Sequence, residues 1–336
     1  MSKGLKSATD PGIETLSTVL NPAAFTEHLR GVSLSGWNEG VVLEARVVSV
    51  IKHHVGQRCT LEIGLRTETG SYSLIGKLYA NDRPDILETM KQIQLAGFGP
   101  RNEFSIPAPI AYLPSLRLLL QEKVDGLSAK EIFKTGDEAS IVAAAERCGL
   151  WLARFQAVGP TNGPIFDAGK YISALRGRTR RITSLGGPCA EKGERLLESL
   201  EQAVTGLRPV KACAGHSSYS PAQIILANRR TVVFDWDDYD VADPTRDAAR
   251  FIVALRRLAM GKLGSIRALD GAGQVFLRTY QSAADLGTEE NLRFFEAAAC
   301  HTLAIYLVSH QVPRWIEKLE AMLDEGLRIF EMELVR

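Results

Sequence analysis

The sequence lacks paired cysteines, long apolar runs and any excess of charge of one sign. Its five cysteines, Cys59, Cys148, Cys189, Cys213 and Cys300, are scattered and odd in number, with no C-x-x-C pair. That argues against a disulfide framework and a zinc site, and fits a reducing cytoplasm. No apolar stretch reaches the length that spans a bilayer, and the opening MSKGLKSATDPGIETL has no apolar core of a signal peptide. A net charge of +1 gives no global case for nucleic acid or an anionic membrane. Internal repeats and low-complexity tracts are missing too. What remains is 336 residues at 45% hydrophobic and 24% charged, ordinary for a soluble globular chain and long enough for two lobes. The expectation is a cytoplasmic protein with neither a nucleic-acid nor a membrane partner.

The apolar period changes twice along the chain. Pro22-Ala23-Ala24-Phe25 opens a short amphipathic helix through Leu29, within a partly helical region 1–40. From Val41, three β-branched, partly alternating runs separated by turns at Gly56 and Thr69-Gly70 predict successive antiparallel strands. Pro84 sits where a helix begins, and DILETMKQIQLAG carries Ile86, Met90 and Ile93 at helical spacing up to Gly97. Two further strands surround Pro114-Ser115. After Asp125-Gly126, Ser128-Ala129-Lys130-Glu131 reads as a capping box. The chain is then mostly helical, over 139–158, 168–185, 190–205, 245–262, 272–284, 289–309 and 313–335. This predicts an α+β chain with a boundary near Leu120–Gly126: a small antiparallel-sheet lobe with one helix (1–124), then a larger helical lobe (125–336).

One stretch interrupts the helices, CAGHSSYSPAQIILANRRTVVFDWDDYDVADPTRDAARFIVAL over 213–255. Ile224–Leu226 and Thr231–Phe234 read as the arms of a hairpin around Ala227–Arg230, with Asp235-Trp236-Asp237-Asp238 at its open end. A polar loop brought beside a carboxylate cluster is suited to holding a divalent cation and phosphates.

The order of features resembles that of the aminoglycoside phosphotransferase and choline kinase-like family, within the protein-kinase-like superfamily. The resemblance covers about residues 40–310. The family's H-G-D-x-x-x-x-N loop is matched by His216-Ser217-Ser218-Tyr219-Ser220-Pro221-Ala222-Gln223, and its I-D-[FW]-[DE] by Phe234-Asp235-Trp236-Asp237. Ala242-Asp243-Pro244-Thr245-Arg246-Asp247 matches the segment that follows. The resemblance implies a bilobal protein-kinase-like fold binding ATP and Mg²⁺. It implies that Lys77 serves the nucleotide phosphates, with Glu88 as its helix partner, although Glu88 lies nearly opposite the apolar face of its helix. Glu122, Lys123 and Val124 become the hinge to adenine, and the turn around Gly56 takes the place of a phosphate-covering loop or is an ordinary hairpin. Asp235 and Gln223 become metal ligands, with Asp237 helping the metal or capping the loop. His216 is then a structural hydrogen-bonder, and Asp247 anchors its loop.

Ser218 departs from the pattern, because the family has there an aspartate that takes the acceptor hydroxyl's proton. A serine cannot take it near neutral pH. Three readings stay open: an active kinase with a weaker or relocated base, a pseudokinase acting through a protein partner, or a deliberate replacement that traps a complex. If active, the chain transfers the γ-phosphate to a hydroxyl of a small molecule or of a peptide serine or threonine, since this fold also occurs among natural-product tailoring enzymes. Two basic runs, Arg176 to Arg181 and Arg256 to Arg267, read as solvated helix faces. If they line the cleft, they suit an anionic substrate better than a polycationic one.

Overall fold

The computed structural model describes residues 9–30, 32, 41–283 and 288–331. Parts of the expected 1–40 region and the ends of the helices expected at 272–284 and 313–335 lie outside these residues. Contacts divide the chain into two compact units, Met1–Gly126 with Val232–Asp237, and Leu127–Thr231 with Asp238–Arg336. The segment bearing Asp235 and Asp237 thus groups with the strands of the first unit. No helix among the described residues is long and apolar enough to cross a membrane.

The first unit is built on a five-stranded antiparallel sheet. Strands β1 (Val42–His54), β2 (Arg58–Thr67) and β3 (Ser71–Tyr79) follow the alternating runs, and strand Leu118–Glu122 then pairs with β3 and with Pro109–Leu113. In β2, Cys59, Leu61, Ile63 and Leu65 are buried at every second position, the pattern of a sheet with one face in a core. Helices α1 (Leu16–Leu20) and α2 (Pro22–Leu29) give Leu16, Val19, Phe25 and Leu29 to that core. Asn21 caps α2, accepting from the amides of Ala23 and Ala24. Helix α3 (Pro84–Ile93) buries Ile86, Met90 and Ile93. It continues into one widened turn, Gln94–Phe98, which Gly97 ends at φ +103°, a conformation that costs a glycine little.

Among the described residues, eight helices dominate the second unit: α4 (Ala129–Thr135), α5 (Glu138–Val158), α6 (Ala168–Thr183), α7 (Gly187–Ala203), α8 (Thr245–Lys262), α9 (Asp270–Ala283), α10 (Glu289–His310) and α11 (Trp315–Glu331). Side-chain caps at Ser128, Asp137, Asp167 and Thr288 start four of them. The expected box at α4 is half made. Ser128 accepts from the Glu131 amide, but the Glu131 carboxylate turns to Lys134. Trp151, Tyr219, Phe251 and Phe276 stack through the middle with centroids 5.8, 5.5 and 4.1 Å apart in turn. On α11 the apolar face is Leu319, Met322, Leu323, Leu327 and Ile329, whereas Ile316 is 55% exposed.

His301 on α10 is fully buried, and its Nε2 lies 3.3 Å from Thr179 Oγ1. Burial pushes the imidazole pKa down from 6.5 to about 4. Between those values the unfolded chain binds a proton that the folded chain refuses, so stability rises with pH across the window and is lost as pH falls. Urea unfolding between pH 7 and 5 should show a loss of at most about 1.4 kcal/mol per pH unit from this group. His301→Gln should flatten that part of the profile; an unchanged slope would assign the loss to other groups.

Candidate active site

In the first unit one lysine gathers two carboxylates. Lys77 lies on β3 and is 6% exposed. Its Nζ donates to Asp235 Oδ1 at 2.5 Å and to Asp237 Oδ1 at 2.8 Å. Tyr79, two residues on and therefore on the same face of β3, donates its hydroxyl to Asp237 Oδ1 at 2.9 Å. Burial and the neighbouring carboxylate push the Tyr79 phenol well up, so it stays a donor. Arg58, in register with Tyr79 across the strand pair, binds the second oxygen of Asp237 and lies 3.6 Å from Asp235 Oδ1. Arg83 donates to the Asp237 carbonyl at 2.9 Å. Sequence reasoning missed Arg58, Tyr79 and Arg83. The period-2 spacing of Lys77 and Tyr79 was a usable signal for the tyrosine.

Asp235 has φ +77°. A non-glycine residue in the left-handed region costs about 1 kcal/mol, and such strain concentrates at functional sites. Trp236 is buried and donates its indole N–H to the Val233 carbonyl at 3.1 Å, which fixes the turn carrying the two aspartates.

The structure does not bring Glu88 to Lys77. Glu88 is on the exposed face of α3 and accepts from Gln92 Nε2 at 2.9 Å, because Ile86, Met90 and Ile93 claim the buried face. Asp235 and Asp237 are the lysine's carboxylate partners instead. The Glu122 carboxylate accepts from the Ala108 amide, and Lys123 pairs with Glu62 at 2.5 Å, so both side chains are committed to the sheet. Lys123 and Val124 follow the last strand residue and run on without sheet pairing. At the β1–β2 turn, Asp10 Oδ2 accepts from the Gly56 amide and lies 2.8 Å from His53 Nε2. Gly12 meets this turn so closely that an added Cβ would lie 2.4 Å from Gly56 Cα.

In the second unit the polar loop hangs from its buried residues. His216 is fully buried, and its amide donates to Asp247 Oδ2 at 2.6 Å. Ser217 has φ +67° and accepts from Arg246 Nη2 at 2.7 Å, while Arg246 also pairs with Asp240 and stacks over Phe166. Tyr219 donates to the Cys148 carbonyl at 2.8 Å from inside the aromatic stack. Ser218, between these anchors, points its Oγ to within 3.2 Å of His216 Nδ1. It lines a cavity of ≈ 290 Å³ together with Gln223, whose amide oxygen accepts from Ser220 Oγ. The Ala227–Arg230 turn is fastened to α5 by Arg147, which donates to the carbonyls of Ala227 and Arg230.

A profile described as the phosphotransferase enzyme family matches residues 76–286, from the residue before Lys77 through both polar loops. The chain belongs to that family. Among solved structures, the phosphotransferase chain is similar to a glucosamine kinase in complex with glucosamine, ADP and inorganic phosphate, with a TM-score of 0.64 at 14% identity over 87% of this chain and 83% of that one. It is similar to a choline/ethanolamine kinase family protein from Mesorhizobium loti, TM-score 0.60, 12% identity, 92% and 94% covered. A mutant aminoglycoside 2'-phosphotransferase in complex with GDP aligns at TM-score 0.56 and 11% identity, over 92% of this chain and 98% of that. The expected α+β, kinase-like fold is therefore the fold of this chain. No curated protein matches its sequence.

For a phosphotransferase the first unit's donor set fits a hard cation. Mg²⁺ is held by one or two carboxylates with phosphates and water completing its shell, not by an all-protein cage. Asp235 and Asp237 supply two carboxylates converging on one ammonium, and no group of three or more His, Cys, Asp or Glu suited to a metal occurs among the described residues. Lys77, Asp235 and Asp237 have side chains 7%, 19% and 4% exposed. Removing one partner of such a buried set leaves charge uncompensated and costs about 3–5 kcal/mol. Lys77→Ala should fall at the low end of that range in urea denaturation, since Arg58 still reaches Asp237. A loss below about 1 kcal/mol, the value of an exposed pair, would mean the cluster is solvated.

Proposed function

We propose that the chain is an ATP-dependent phosphotransferase that moves the γ-phosphate to a hydroxyl of a small molecule. The observation that carries this reading is the buried Lys77 held against Asp235 and Asp237, with Asp235 strained at φ +77°, inside the segment that defines the family. Phosphoryl transfer depends mostly on positioning and on neutralising phosphate charge. Lys77 and Arg58 supply positive charge for the phosphates. Asp235 and Asp237 would hold Mg²⁺, which when bound would neutralise phosphate charge. Backbone groups at Lys123 and Val124 are the hinge to adenine.

The acceptor's proton needs a base, and the His216–Ser218 pair supports one. With Nδ1 unprotonated, His216 accepts from the Ser218 hydroxyl, so Ser218 can take the acceptor proton as its own passes to the imidazole. The acceptor oxygen bonds to the γ-phosphorus as the bond from that phosphorus to the β,γ-bridging oxygen breaks, and ADP leaves. Ser218 touches substrate; His216 acts through it. General-base assistance is worth about 10²–10⁴-fold where the base is well matched. A relayed base is weaker than a carboxylate in contact with the acceptor.

A second reading, a nucleotide-binding pseudokinase, is favoured by one fact: no carboxylate lines the Ser218 cavity among the described residues. Thermal shift with Mg²⁺-ATP and coupled ADP release across sugars and amino alcohols separate the two. The transferase reading expects nucleotide to raise Tm, Ser218→Ala to lower kcat at least about tenfold, and Ser218→Asp to raise it by about tenfold or more. His216→Gln should lower kcat by a similar factor to Ser218→Ala, since Ser218 then has no imidazole to receive its proton. Stabilisation by nucleotide with turnover only in Ser218→Asp would establish the pseudokinase. Equal rates in all Ser218 forms would place the base elsewhere.

A further inference from the structure

The Ser218 cavity is bounded by one face of each of two helices. Arg250, Val253, Ala254 and Arg257 come from α8 and Ala299, Thr302, Leu303 and Tyr306 from α10, both at spacings of three, four and seven residues. Ser218, Ser220 and Gln223 close it from the loop. Its charged lining is therefore two guanidiniums and no carboxylate. Arg257 lies over the Tyr306 ring, 4.6 Å from its centroid, an arrangement that holds a guanidinium in place while leaving its edge donors available. Among the described residues, neither Arg250 nor Arg257 is within salt-bridge distance of an acid; the carboxylate that feels Arg250 is Asp240, and Arg246 already engages it.

The basic character continues beyond this wall. A second cavity of ≈ 520 Å³ shares Ser220, Ala254 and Arg257 with the first and adds Lys130, Lys262 and Lys318, again with no carboxylate in its lining. Glu131, which feels Lys130 and Lys262, is bonded to Lys134, and Glu317, which feels Lys318, is bonded to Arg314. Several residues of the basic runs behave differently. Arg256 and Arg267 are tied to Glu325, Arg256 also to Glu296, and Arg176 to Glu201. Arg250 and Arg257 thus face the Ser218 cavity together, neither paired with an acid among the described residues.

We propose that the acceptor is a hydroxyl-bearing small molecule that carries an anionic group, carboxylate or phosphate, seated by Arg250 and Arg257 so that its hydroxyl reaches Ser218. This rests on the transferase reading of the same loop. The planar fork of a guanidinium suits both anions, and an amino sugar or quaternary amine placed there would meet like charge instead. A longer polyanion would extend from Arg257 toward Lys262, Lys318 and Lys130.

Two measurements on the full chain test the proposal. The first is coupled ADP release with matched acceptors: gluconate and glycerate for carboxylate, glucose 6-phosphate for phosphate, glucose as neutral, glucosamine as cationic. The expected result is kcat/KM at least about tenfold higher for one anionic class than for the neutral and cationic probes. Arg250→Gln and Arg257→Gln should raise its KM between about tenfold and about a hundredfold, with the KM for ATP unchanged. Arg257→Lys should restore part of the loss. The second is thermal shift without nucleotide, in which the same anion raises Tm of the parent and not of the double Gln variant. Circular dichroism verifies that the variants are folded, and Arg257→Lys serves as the comparison if a Gln variant is not. Anion binding abolished by the Arg variants but without turnover would sustain this proposal and sink the transferase reading. Turnover of glucose or glucosamine at rates indifferent to Arg250→Gln would do the reverse. No anionic probe binding or reacting would overturn the proposal.

Discussion

The Lys77 ammonium is the hinge of the electrostatics in the first unit. Two carboxylates from one short segment are otherwise mutually repelling, and both are largely withdrawn from water, so a buried cation offsets their repulsion. Lys77 meets that need from the sheet, with Arg58 and Tyr79 completing the donors around Asp237. This explains why Val232–Asp237 groups with strands more than a hundred residues earlier in the chain. It also accounts for a strained Asp235: with Lys77 on one side and the buried Trp236 on the other, the backbone between them has little freedom to relax.

The second unit solves a different problem, holding a polar loop without burying the Ser218 side chain. Residues 216, 217 and 219 are each tied down, by Asp247, Arg246 and the Cys148 carbonyl respectively. Ser218, between these anchors, lines the cavity with Ser220 and Gln223. The loop is thus tied down on both sides of Ser218. The aromatic stack from Trp151 to Phe276 gives this support its stiffness, since Tyr219 belongs both to the stack and to the loop.

Much of this was legible in the residues. The helices of the second unit begin within about three residues of their expected starts, because the 3.6-residue apolar period and polar caps such as Asp137 and Thr288 are local signals. The α+β class followed from the change of period at Asp125-Gly126. Non-local pairings were not legible. Arg58 reaches Asp237 through its register opposite Tyr79, and no spacing in a single strand reports register. Glu88 was carried over from a family pattern against the direction of its own helix face, and the helix face prevailed. The basic runs divided for a similar reason. Arg256 and Arg257 are adjacent in sequence but point about 100° apart on α8, so one enters an ion-pair network and its neighbour a cavity.

The contact of Asp10, Gly12, His53 and Gly56 lies outside the segment matched by the family profile. Two glycine backbones touch there, closed on one side by a carboxylate that serves both a turn amide and an imidazole. A side chain at position 12 forces the turn to move, and loss of the Asp10 carboxylate leaves the Gly56 amide without that acceptor. These four positions therefore form a single unit of substitution, and grafting a β1–β2 turn from another member of the family requires exchanging residues 9–13 along with it.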